Sequence, residues 1–94
     1  MLEKIDKMSS LAVSMFEEAV QALFKRDYNL AESVIEKLVQ VHKLEKEAIL
    51  SSKEVNIEEI AVIRLLIESV RRTAEYASDI SEVVLNLNVE TVLA

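Results

Sequence analysis

The chain has 94 residues, 51% of them hydrophobic and 30% charged, a formal net charge of −6 and an isoelectric point near 4.8. It contains no glycine, proline or cysteine, which excludes glycine-rich phosphate loops, disulfides, thiolate metal sites and thiol nucleophiles. The acidic balance, with arginines interleaved among acids, also excludes nucleic-acid binding through a basic patch.

That length fits one domain over residues 1–94, and the apolar content argues against disorder. Strands need turns that usually recruit Gly or Pro, so the missing turn residues favour a few long helices joined by short polar loops. The start, MLEKIDKM, lacks the basic-then-apolar order of a signal peptide. No uncharged apolar run approaches the roughly 18 residues of a membrane span. Together with the missing cysteines, this sets the expectation of a cytoplasmic protein.

The first helix is expected from about Leu2 to Lys25. Ile5, Met8, Ala12, Met15, Ala19 and Ala22 repeat at steps of three and four, which places them on one face. Leu11, Phe16, Val20 and Leu23 widen that stripe enough for two neighbours. Arg26 to Asn29 form a short break, so the next helix should fold back antiparallel. Asp27 or Asn29 can cap it, and Asn29 with Glu32 resembles a capping box.

The second helix is expected over about 30–50, with Ala31, Val34, Leu38, Val41, Leu44 and Ala48 on its apolar side. It carries the only histidine, His42. Ser51 to Asn56 make the second break. Asn56 followed by Glu59 reads as another cap, and Glu58 and Glu59 suit the positive end of a helix dipole.

The third helix is expected over about 57–87. Ile60, Ile63, Ile67, Val70, Ala74, Ala77, Ser81 and Val84 keep steps of three and four for more than three heptads. The tail after Leu87 has no pattern of its own. The fold class is therefore all-α, an antiparallel up-down-up three-helix bundle whose third helix overhangs its partners. Leu85, Leu87, Val89 and Leu93 are then surface for another chain.

Beside the core seam of the third helix runs a charged line: Glu68, Arg71, Arg72, Glu75, Asp79 and Glu82. Glu75 and Asp79 are one turn apart on one face, and like charges there repel unless something offsets them. Two readings stay open. One is a carboxylate site for a divalent metal or iron on Glu75 and Asp79, with His42 as a possible nitrogen ligand. The other is a solvated face laced with ion pairs, such as Arg64 with Glu68 and Arg71 with Glu75. No Glu-x-x-His pair occurs, so the di-iron carboxylate bundle pattern is absent. Nine serines without a glycine elbow, and one histidine to serve them all, give no nucleophilic site, so no enzyme is expected.

The stretch Arg71-Arg72-Thr73-Ala74-Glu75-Tyr76-Ala77-Ser78-Asp79-Ile80-Ser81-Glu82 resembles the closing helix of a PhoU-type three-helix repeat, which reads roughly Glu-Arg-x-x-Asp-x-Ala-x-Asn-Ile-Ala-Glu. Arg71 stands where that pattern opens with an acid, Glu75 at its central acid and Asp79 at its Asn. The run VIEKLVQVHKLEKEAI is similar to VIEKDEEIDRLEEEI-like runs of the family, with Leu38 and His42 in place of two aspartates. The resemblance implies a regulator of phosphate uptake that works by binding protein partners. It implies that a single repeat pairs with a second copy as a homodimer, and that acidic pairs in such proteins can hold iron or zinc.

Overall fold

The computed structural model describes the backbone of residues 2–52 and 56–93 and the side chains of residues 3–52 and 56–87. Three helices follow one another: α1 (Leu2–Lys25), α2 (Tyr28–Ser51) and α3 (Ile57–Leu93). Each packs against both others in a rod of 56 × 17 × 17 Å. The expected antiparallel three-helix bundle is observed, with two differences in length. α2 starts at Tyr28 rather than Leu30, and α3 runs on to Leu93 rather than stopping at Leu87.

The early start of α2 has a local cause at Asp27. Arg26 takes a left-handed conformation at φ 53°, and the Asp27 N–H then reaches back to the Ala22 carbonyl at 3.0 Å, closing α1. The Asp27 carboxylate accepts from the Leu30 N–H at 3.0 Å and opens α2. One residue thus ends one helix and starts the next, and Asp27 rather than Asn29 is the cap. At the other end, Ser52 donates its hydroxyl to the Ile49 carbonyl at 2.7 Å, and Asn56 accepts the Glu59 N–H at 2.9 Å as the sequence predicts. Residues 53–55 of the second break, and the side chains of Val89 and Leu93 in the tail, lie outside the described residues.

The core is built from the expected positions. Met8, Ala12, Met15 and Ala19 of α1, Val34, Val41 and Ala48 of α2, and Ile67, Ala74 and Ala77 of α3 are buried together. Alanines at the contact let the axes approach closely, so ridges interlock without bulky side chains. Ala22, Ala31 and Val84 continue the core to the α1–α2 turn, where Leu23, Tyr28 and Leu85 pack on them. The hydroxyl of Ser81 is shielded within this layer. Leu85 and Leu87 are half-buried, less exposed than the tail was expected to be.

Cross-helix ion pairs report the register that packing sets. Lys4 meets Glu47, Lys37 meets Glu18, and Arg71 meets Glu45. At about 1.5 Å of rise per residue, these pairings leave the first two turns or so of α3 beyond the start of α1.

Candidate functional site

A three-helix rod has three grooves, and here each has a different chemistry. The α2/α3 groove holds the charged line. Arg71 is its hub: Nε lies 3.3 Å from Glu75 and 3.6 Å from Glu45, and Nη2 lies 3.9 Å from Glu68. Glu68 and Glu75 sit one turn to either side of Arg71 on α3, while Glu45 comes from α2 with its side chain 19% exposed. The Arg71 Nε is shielded from water, yet none of these contacts has hydrogen-bond alignment. The attraction is therefore between charges at close range, and one guanidinium relieves the repulsion among three carboxylates. Each such half-exposed pair contributes less than about 1 kcal/mol. A cleft of about 240 Å³ opens beside the hub, with Arg64, Ile67 and Ile49 on its wall.

The predicted metal ligands fall as follows. Glu75 is half-buried and engaged by Arg71, whereas Asp79 is exposed and makes no ion pair among the described residues. His42 is exposed and lines a different cleft with Val39, Lys43 and Lys46, so α2 meets the acidic line through Glu45 instead. Among the described residues no group of three or more His, Asp or Glu side chains converges where an ion could sit. Two carboxylates of one helix leave most of the roughly six positions of a hard divalent ion to other donors. Within one copy, the donor set does not fit a multinuclear cluster. The expected Arg64–Glu68 pair is replaced by Arg71–Glu68.

The α1/α2 groove is polar and stapled. Lys4–Glu47 at 2.9 Å and Lys37–Glu18 at 2.8 Å cross it. Ser14 donates to the same Glu18 carboxylate at 3.2 Å.

The α1/α3 groove differs from both, because no ion pair crosses it among the described residues. Around α3 a second seam follows the first: Val62, Leu66, Ser69, Thr73, Tyr76, Ile80, Val83 and Leu87, again at steps of four and three. It lies on the α1 side of the helix, away from Arg71. Val62 is 67% exposed, Leu66 47% and Tyr76 58%, and Val83 is also exposed. On α1, Val13, Phe16 and Val20 keep the same steps on the side opposite Lys4 and Glu18, and the first two are exposed. Beside Tyr76 and Val83 the two parallel helices share an apolar strip, which Val62 extends past the start of α1, while Ile80 of the same seam packs on the core. Sequence reading missed this seam, although its spacing was in view.

The comparisons agree with this architecture. The family model described as PhoU domain matches residues 5–84, which takes in most of all three helices. No curated protein matches the chain. No solved structure matches it either. No helix among the described residues is long and apolar enough to cross a membrane. With the family model covering far more than half of the chain, this protein belongs to the PhoU domain family.

Proposed function

We propose that the chain is a regulatory module of phosphate homeostasis that acts in the cytoplasm by protein contact, beginning with a homodimer, and that it catalyses no reaction. Family membership supports the regulatory role. The observation that supports dimerisation is the second seam of α3. A helix with two heptad seams, one buried and one partly exposed, has the pattern of a helix made for two partners. From Val62 to Leu87 the second seam, exposed at Val62, Leu66, Ser69, Tyr76 and Val83, runs about 38 Å at 1.5 Å per residue, long enough to receive an entire helix of a second copy. Apolar strips of this length on a small domain mark interaction sites.

Sedimentation equilibrium at micromolar concentration tests the dimer. A single species of twice the chain mass is expected, and a strict monomer overturns it. Radiolabelled phosphate uptake in cells with and without the chain tests the regulatory role. Altered uptake under phosphate-replete conditions is expected, and unchanged uptake contradicts the role.

A further inference from the structure

A lysine-rich surface lies over the α1/α2 groove. Lys4 and Lys7 stand three apart on α1, and Lys43 and Lys46 stand three apart on α2, so each pair shares a helix face. The Lys4–Glu47 staple brings the two pairs together where α1 begins and α2 ends. Two adjoining clefts share Lys43: one runs past Lys4 and Lys7, the other over Val39 and Lys46. Glu47 is the one carboxylate lining either cleft, and Lys4 already engages it. Its carboxyl is held below the usual range by the Lys4 hydrogen bond, with further attraction from Lys4, Lys43 and Lys7. Lys7, Lys43 and Lys46 make no ion pair among the described residues. In a chain of net charge −6, this is a local surplus of positive charge. Val39, 72% exposed, adds an apolar contact at its edge.

We propose that this lysine groove docks an acidic segment of a partner protein. Charge complementarity names the occupant, because three uncommitted ammoniums and one valine match a short chain of carboxylates with an apolar residue among them. A flat anionic membrane would also press against the exposed acids Glu3, Asp6 and Glu36 on the same two helices. Bases of a nucleic acid would find a single ring to stack on, the imidazole of His42, and no Phe, Tyr or Trp in either cleft. The proposal rests on the partner-contact reading above, but not on the dimer.

The test is fluorescence anisotropy with a labelled peptide of repeated Glu-Glu-Leu. Alongside it run a single-stranded oligonucleotide and phosphatidylserine vesicles. Wild-type protein is expected to bind the peptide, more weakly as salt rises. Lys7→Glu/Lys43→Glu is expected to lose at least about tenfold in affinity, since reversal replaces attraction with repulsion at two contacts. Lys25→Glu/Arg26→Glu makes the same change in net charge at the far end and is expected to keep most of the binding. Equal losses in the two variants overturn the proposal. So does tighter binding of wild type to the oligonucleotide or the vesicles than to the peptide. Sedimentation of the same samples separates the two surfaces: a monomer that still binds the peptide supports this surface and overturns the dimer.

Discussion

α3 carries two seams with the same spacing and opposite fates. Ile67 is 2% exposed in the buried seam, and its neighbour Leu66 is 47% exposed in the other. Both seams satisfy the same rule of threes and fours. The difference lies in where the partner is: the first seam meets α1 and α2 of its own chain, and the second meets solvent at Val62, Leu66, Tyr76 and Val83. Helical periodicity thus marks where a helix can be covered without saying whether the cover belongs to the same molecule.

The largest effect is expected from charging the exposed positions of the second seam. Leu66→Glu/Tyr76→Glu is expected to abolish the dimer while the monomer keeps its helical circular dichroism. Two interface anchors at about 2 kcal/mol or more each would raise the dissociation constant by roughly a thousandfold. A dimer that survives this pair assembles by another face.

Alanine at the neighbouring positions 66 and 67 separates the two seams by their effect on the monomer. Ile67→Ala should cost the monomer about 2–5 kcal/mol in urea unfolding, because it leaves a cavity in a closed core. Leu66→Ala should cost the monomer well under 1 kcal/mol and act mainly on association. Equal costs in the monomer would mean that the two seams are not distinct.

The third effect concerns the tight α1–α2 turn. Arg26 holds a left-handed conformation that glycine adopts freely, so Arg26→Gly is expected to stabilise the fold by about 0.5–1 kcal/mol. Asp27→Ala removes the cap of α2 and is expected to lose about 1 kcal/mol. Thermal melts of both variants check the opposed signs.

The smallest effect is pH-dependent. The Glu47 carboxyl has its pKa lowered in the folded state, chiefly by the Lys4 hydrogen bond. A lowered folded value means that the stabilisation is present above the ordinary carboxylate pKa and is lost as pH falls through the folded value. The stability difference between wild type and Lys4→Ala should therefore shrink as pH drops from neutral into the acid range. A difference that grows on acidification would contradict the assignment.

Much of the fold was legible because burial writes itself into spacing. The core positions of all three helices, the up-down-up order and the Asn56 cap follow from local pattern. The choice of Asp27 over Asn29 does not, because both are good caps and the left-handed Arg26 decides between them. How far α3 continues past Leu87 stayed open in the sequence, since a tail without apolar periodicity gives no stop signal either. At the charged line, Arg71–Glu75 was readable from i,i+4 spacing. Glu45 was not, because a pairing between helices depends on a register that only packing sets. That register also separates His42 from the carboxylates it was weighed with. Elemental analysis of protein prepared without chelator tests Glu75 and Asp79 as ligands. Metal lost in Glu75→Ala/Asp79→Ala would give the pair a role beyond ion pairing, and equal metal content in both proteins would remove it.

The most direct single measurement is sedimentation equilibrium of wild type beside Leu66→Glu/Tyr76→Glu at micromolar concentration. A wild-type dimer and a folded monomeric variant are expected if the second seam of α3 is an interface. A wild-type monomer, or a variant that dimerises as wild type does, would show that the exposed seam has no such role.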